Sequence, residues 1–277
     1  SKTTDLAVYS EAIDKATNPE FRVALERDIK VMSYFEALGE FSKTKKTIVV
    51  TGTHGKTTTT AMLGEALIAA GMDPIVIVGT QAPAFGHSNL YIGKGDRPAE
   101  RGADGWFVAE GCEYRRSFLH FHPFGVVMLN CEAEHLDYYK DEEDYRSAFR
   151  ELMRKIPKEG FLVANGQDAN LARIIKDFTG NLIRVTEKLD IPLVIPGEFN
   201  QWNAAHAYHA AKQMGADLDK VKQALEHYRG SARRMEVKGE VNWVTIIDDY
   251  GHHPTEVRET LRALRQRYAG RRLICVF

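Results

Sequence analysis

The chain has 277 residues, 44% of them hydrophobic and 27% charged, a balance that sustains a large buried core and excludes low-complexity and fibrous classes. Lys and Arg number 37 against 38 Asp and Glu, a formal net charge of -1, so no global electrostatic pull toward nucleic acid or an anionic membrane is present. Cys112, Cys131 and Cys275 are widely spaced and form no CxxC pair, which argues against a disulfide framework or structural zinc and fits a reducing cytoplasm; no apolar run reaches the roughly 20 residues of a membrane span.

Along the chain, "DLAVYSEAI" (5–13) reads as a strand running into a helix, and "SKTKK" (42–46) as a polar linker. Short apolar strands are then expected at 47–50, 75–78, 105–109, 125–129 and 161–164, alternating with helical patterns. This alternation predicts an α/β fold, a central mostly parallel sheet with helices on both faces. Between the first two strands, Met62, Leu63, Ala66, Leu67 and Ala70 recur at helical spacing and Gly71 supplies a stop. The stretch from Thr80 to Asp104 has no clear period and reads as a loop at the functional edge of the sheet. "NAAHAYHAAKQMG" and "DLDKVKQALEHYRG" make two helices separated by Gly215. Strands at 233–238 and 243–248, a helix at 254–268 and a strand at 272–277 follow. Both ends read as cut, since Ser1-Lys2-Thr3-Thr4 opens no signal peptide and "LICVF" stops on an apolar strand. Three units are expected, at 1–45, 46–230 and 231–277.

The strongest chemical signal is "VVTGTHGKTTTT" (49–60). Gly52 and Gly55 let the backbone curl around an oxyanion, Lys56 brings a full charge to the outer phosphates, and Thr57 stands where a P-loop hydroxyl meets Mg²⁺. Only Thr53 and His54 separate the glycines, where the usual motif has four residues. That spacing, with no guanine-reading N-K-x-D, argues against a P-loop motor or GTPase.

"GTHGKTTTT" resembles the ATP-binding loop of the Mur ligases, the ATP-dependent amide-forming enzymes of bacterial cell-wall precursor synthesis. The resemblance implies a central ATP-binding domain flanked by partial Rossmann-like domains, with ATP on Gly52, Thr53, His54, Gly55, Lys56, Thr57 and Thr58. "FVAEGCEYRRSFL" (107–119) resembles the family's acidic motif after a strand, which places Mg²⁺ on Glu110; Cys112 stands where an aspartate is usual. "VVMLNCEAEHLDYY" (126–139) resembles the next signature and makes His135 a Mg²⁺ ligand beside the substrate carboxylate, with Glu134 where aspartate is usual. "PGEFNQWNAAHAYHAA" implies nucleotide contacts for Asn200 and Asn203, although Asn200 also suits a helix cap. "GSARRMEVKGE" implies a γ-phosphate contact for Arg234 rather than Arg233. "IIDDYGHHPTEV" (246–257) implies a ribose contact for Asp249 and places Tyr250, His252 and His253 at the junction of nucleotide and substrate, with Pro254 also fit to open a helix.

Within the family, these motifs resemble the branch that acts on the lactyl carboxylate of UDP-N-acetylmuramate. Catalysis then falls on Lys56, His135 and Arg234, which stabilise phosphoryl transfer to that carboxylate before L-alanine displaces phosphate. Glu113-Tyr114 leans toward addition of a preformed peptide instead, and Cys112 and Glu134 leave open a non-catalytic nucleotide-binding relative. The implied location is the cytoplasm, with no nucleic-acid partner; the sequence leaves the oligomeric state undetermined.

Overall fold

In the computed structural model, which describes residues 4–93 and 105–277, the chain opens on strand β1 (Leu6–Tyr9), helix α1 (Pro19–Glu26), strand β2 (Lys30–Ser33) and helix α2 (Tyr34–Ser42). β1 and β2 pair in parallel. The helix expected directly after the first strand does not form. Asp14 accepts from the Ala16 amide at 3.0 Å and the Thr17 hydroxyl at 2.7 Å, holding a turn there, and the helix begins only where Asn18 caps it and Pro19 takes its first position. The polar "linker" is likewise short and anchored. Ser42 is buried, donates to the Gly39 carbonyl at 2.6 Å and accepts from the His122 amide at 2.9 Å.

The remaining elements are β3 (Lys46–Thr51), α3 (Lys56–Ala69), β4 (Ile75–Ala82), β5 (Ser88–Tyr91), β6 (Trp106–Glu110), β7 (Pro123–Met128), α4 (Glu142–Arg154), β8 (Phe161–Asn165), α5 (Ala169–Ile175), β9 (Asn181–Val185), α6 (Glu198–Gln213), α7 (Leu218–Glu226), β10 (Glu236–Val241), β11 (Val244–Asp248) and α8 (Pro254–Arg267). A seven-stranded sheet has the order β5-β4-β6-β3-β7-β8-β9, parallel throughout except for the antiparallel edge strand β5. β10 and β11 form a separate antiparallel hairpin.

All five strands predicted for the central sheet appear in order. The supposed loop after residue 80 instead holds the end of β4, a 3-10 turn and β5, while residues 94–104 lie outside the described residues. β9 was missed because its half-exposed "NLIRV" lacks the continuous apolar run of an interior parallel strand. The strand expected at 233–238 begins at Glu236, because Arg233 (φ 57°) and Met235 (φ 48°) turn the backbone first. Residues 272–277 form no strand; among the described residues they have no ladder partner, and Val276 and Phe277 are 92% and 90% exposed.

Helices cover both faces. One apolar layer joins the sheet to α3, α6 and α7 through Met62, Leu67, Val127, Ala207 and Val221. The other packs Val126, Phe149, Leu152 and Ile174 beneath α4 and α5. Each such fully buried large side chain contributes roughly 1.5–3 kcal/mol. α3 carries four buried threonines that disfavour a helix in isolation, so burial on the sheet rather than local propensity holds it. It ends where expected: Gly71 (φ 78°) donates to the Ile68 carbonyl at 3.0 Å and Met72 to Leu67 at 3.0 Å, the double closure of a Schellman motif.

β3 lies between β6 and β7, so the loops leaving the carboxyl ends of these three strands converge. In an open parallel sheet that is where the strand order reverses and where a crevice opens.

Candidate active site

After β3 the chain must reverse into α3 within four residues. Gly52 (φ 142°) and Gly55 (φ 83°) supply backbone angles that L residues rarely adopt. They also admit close neighbours: a Cβ at Gly52 would lie 3.1 Å from the Asn130 backbone, and one at Gly55 2.6 Å from Asn203 Oδ1. α3 therefore starts without a side-chain cap, its first amides available to an anion. Gly55→Ala is expected to weaken nucleotide binding by about tenfold or more, because the loop must both strain and move away from α6. Calorimetric titration with ADP checks this, and wild-type affinity would refute it.

Lys56 curls over the loop it follows. Its Nζ donates to the Gly52 carbonyl at 2.6 Å and the Thr53 carbonyl at 2.9 Å, and meets Glu113 Oε2 at 3.0 Å. Burial opposes the ammonium charge, but Glu113, helped by Cys112 and Glu110, outweighs it and holds Lys56 above the usual lysine value. Glu113 is itself 1% exposed. Burial would raise its carboxyl, yet Lys56 and His135 hold it below the ordinary range. His135 Nε2 lies 3.4 Å from Glu113 and 3.8 Å from Glu134; its bond to Glu113 raises the imidazole pKa against the effect of burial. Cys112, pushed up to about 11 chiefly by burial, is no thiolate nucleophile near neutral pH.

On the β6 side, Thr57 Oγ1 donates to Glu110 Oε1 at 2.9 Å, and Glu110 Oε2 accepts from the Gly79 amide at 2.7 Å. Arg234 reaches the same hydroxyl, with Nη2 3.2 Å from Thr57 Oγ1. The guanidinium also lies over the Tyr250 ring, 5.4 Å from its centroid.

On the β7 side the loop is pinned by Asn130, Glu132 and Glu256, motif residues with no role expected of them. Asn130 Oδ1 accepts from the His54 amide at 2.8 Å, and Asn130 Nδ2 donates to the His54 carbonyl at 3.0 Å. His54 Nε2 is 3.0 Å from Glu132 Oε2, and its Nδ1 lies 3.3 Å from Glu256 Oε1, within ion-pair range but without hydrogen-bond alignment. Its ring packs at a 45° tilt against that of His253, with centroids 4.6 Å apart. His54, Glu132 and His253 have donor types that suit a metal ion. The protonation pattern opposes it: His253 Nδ1 accepts from the Thr255 amide at 3.2 Å as the cap of α8, which puts its proton on Nε2, and His54 has a carboxylate oxygen beside each ring nitrogen.

Beside the loop opens a cavity of about 290 Å³. Ile195, Phe199, Trp202 and Met235 give it apolar walls, and Asn165, Asn200 and Asp249 place polar groups among them. That combination suits a flat heteroaromatic ring joined to a polyhydroxylated sugar.

The structure thus gathers Gly52, His54, Gly55, Lys56, Thr57, Glu110 and Arg234 around one loop, with Thr58, Asn200, Asn203 and Asp249 on the adjoining cavity. The remaining expected residues make contacts of their own. The Thr53 side chain turns away, donating to the Glu132 carbonyl at 2.6 Å and accepting from its amide at 2.9 Å, so only its backbone faces the loop. Glu110 meets Thr57, while His135 groups with Glu113 and Glu134. Asn200 does not cap α6 at its start, which falls on Gly197, but donates back to the Pro196 carbonyl at 2.7 Å and accepts from Asn203 at 3.2 Å. Asp249 accepts from the Met235 amide at 2.9 Å and the Gly251 amide at 2.9 Å, and so shapes the turn before α8 as well as the cavity. Tyr250 is 48% exposed, and His252 pairs with Glu134 at 3.3 Å. Glu113, Glu132 and Glu256 had no assigned role; each acts on a residue far away in the chain, Lys56 for the first and His54 for the other two, so no local pattern marks them.

The profile of the Mur ligase middle domain matches residues 50–188, half of the chain, and that of the Mur ligase glutamate ligase domain matches residues 233–277. The chain belongs to the Mur ligase family. Among Mur ligases of known name, it is 36% identical over 305 residues to a UDP-N-acetylmuramate–L-alanine ligase of Clostridium botulinum, covering 100% of this chain and 64% of that relative. A Clostridium kluyveri protein of the same name is 37% identical, with 99% and 64% covered. The chain therefore spans about 64% of the length of these curated relatives. Among solved Mur ligases, a Thermotoga maritima UDP-N-acetylmuramate-alanine ligase superposes with a TM-score of 0.75 at 26% identity, covering 94% of this chain and 64% of the other. A murein peptide ligase from Psychrobacter arcticus gives 0.76 at 25% identity, with 97% and 64% covered.

Proposed function

We propose that this chain holds the ATP site and reaction centre of a ligase that joins L-alanine to the lactyl carboxylate of UDP-N-acetylmuramate. The observation that carries the proposal is the convergence of Lys56, Thr57, Glu110 and Arg234 on one glycine loop beside a nucleoside-sized cavity. The relatives named above point to the substrates. Residues 1–45, 46–230 and 231–277 then serve as the end of a UDP-substrate domain, the ATP domain and the start of a C-terminal domain, in a cytoplasmic enzyme.

A carboxylate resists attack by an amine until it carries a leaving group. One carboxylate oxygen attacks the γ-phosphorus of ATP, the β–γ bridging P–O bond breaks, and an acyl phosphate and ADP form. The amine of L-alanine then adds to the acyl carbon, phosphate leaves with the bonding electrons of the C–O bond, and the amine loses a proton. Lys56, Arg234 and the loop amides face the charge that moves during the first step. Asn200, Asn203 and Asp249 orient the nucleoside, and the tilted contact of His54 with His253 covers the loop's outer side.

The donor sets fit a hard cation: the Thr57 hydroxyl with the Glu110 carboxylate, and Glu113, Glu134 and His135 with ligand atoms within 4.8 Å of one another. Bound there, Mg²⁺ would neutralise phosphate charge.

The peptide-joining reading stays as a second one, favoured by Glu113-Tyr114 and by the Psychrobacter likeness. Phosphate release from ATP by the full-length protein, with UDP-N-acetylmuramate and either L-alanine or a murein tripeptide, separates the two. Release stimulated by L-alanine supports the proposal; stimulation by the tripeptide alone moves it to the second reading, and ADP binding with no stimulated release leaves only a nucleotide-binding relative.

A further inference from the structure

Three carboxylates and three imidazoles alternate across the face where α8 meets the loops after β3 and β7. In order they are Glu134, His252, Glu256, His54, Glu132 and His253, with successive separations of 3.3, 3.7, 3.3, 3.0 and 3.9 Å. His54 is central. It is the member on the phosphate loop itself, its side chain is 15% exposed, and it has a carboxylate against each ring nitrogen. Glu132 comes from the loop after β7 and Glu256 from the first turn of α8, so a histidine protonated on both nitrogens bridges the two segments.

We propose that His54 is a positioning residue: as an imidazolium between Glu132 and Glu256 it latches α8 onto the phosphate loop and thereby sets Arg234 and Asp249 against the nucleotide. The inference rests on the ATP reading above. Both groups that it positions stand on the α8 side of the junction. Arg234 already meets Thr57 at 3.2 Å, and Asp249 is bonded to Thr260 of α8 at 3.3 Å. A neutral His54 has one proton, which serves one carboxylate and leaves the lone pair on its other nitrogen facing the second. Deprotonation therefore converts one arm of the bridge from attraction to repulsion.

The titratable and charged groups facing His54 are Glu132 from the β7 loop, Glu256 and His253 from the start of α8, and Arg234 acting on Glu256. Lys56 on the same loop is turned to Glu113. Burial alone would favour the neutral ring, but Glu256 and Glu132 outweigh it and raise the imidazole pKa above 6.5. Glu256, held at about 2 by His54 against the effect of burial, stays ionised through the same range. The sign follows: the latch is fully formed below the ordinary histidine value and is lost as pH rises through the elevated one.

The test is calorimetric binding of the non-hydrolysable analogue AMPPNP with Mg²⁺ between pH 5.5 and 9, in wild type, His54→Gln, Glu256→Gln and the double variant. Glutamine at 256 retains the capping-box bond of α8, so the helix start is preserved. Wild-type affinity is expected to fall by about tenfold across the His54 titration beyond any change in His54→Gln. The two single variants should each weaken binding at low pH, and the double variant no more than either. Identical pH profiles for wild type and a folded His54→Gln, or additive effects, overturn the latch. Thermal unfolding at pH 6 checks the fold, and Glu256→Gln tests the same bridge from its other end if His54→Gln is unfolded. Absence of AMPPNP binding in wild type at every pH would instead overturn the ATP reading.

Discussion

Lys56→Ala is expected to reduce ATP-dependent phosphate release by about 10³-fold or more while leaving the chain folded. Lys56 does two jobs that alanine cannot. Its ammonium braces the glycine loop through the Gly52 and Thr53 carbonyls, and it brings a full positive charge onto that loop. The fold should survive because the buried partner has a way out. Without Lys56, Glu113 keeps His135 at 3.4 Å, and burial drives its carboxyl pKa upward so that it takes a proton instead of remaining an unpaired charge. The thermal midpoint is therefore expected to drop by several degrees, without loss of the cooperative transition. Stimulated release is measured by coupled phosphate assay and folding by circular dichroism. Turnover within a few-fold of wild type would sink the assignment of Lys56 to the transferring phosphate.

How much of this was legible in the sequence depends on what kind of physics encodes each part. Interior strands such as β3 and β8 are buried on both faces, so continuous apolar runs announce them. Edge strands β5 and β9 are half exposed, and what makes them strands is a neighbour far away in the chain. The same division runs through the site. Gly52, Gly55, Lys56 and Thr57 are readable because their chemistry is local to one loop. Glu113, Glu132 and Glu256 act across 57, 78 and 202 positions, and no spacing rule links Glu256 to His54. The positive φ of His135 (57°), which places its ring beside Glu113, likewise leaves no mark in composition.

Glu113→Gln should be the most destabilising polar substitution at the site, by roughly 3–5 kcal/mol at pH 7, because it strands the buried Lys56 ammonium. Glutamine keeps the size and an acceptor oxygen, so the loss isolates charge from packing. The pH dependence gives a second handle. The Glu113 carboxyl is held below 4.5 in the folded chain, so its contribution is fully present above that value and disappears as pH falls through the folded-state value. Wild type should thus lose stability on acidification below about 4.5, whereas Glu113→Gln, already lowered at neutral pH, should approach it there. The variant should also move Lys56. With the opposing carboxylate gone, burial favours the neutral amine, and phosphate release should weaken as pH rises through a now lowered lysine pKa. Urea unfolding at pH 7 and pH 4 measures the first effect and the alkaline limb of phosphate release the second. Equal stability of variant and wild type at pH 7 would mean that the Lys56–Glu113 pair only offsets the cost of its own burial. The loop would then owe its shape to Gly52, Gly55 and Asn130 alone.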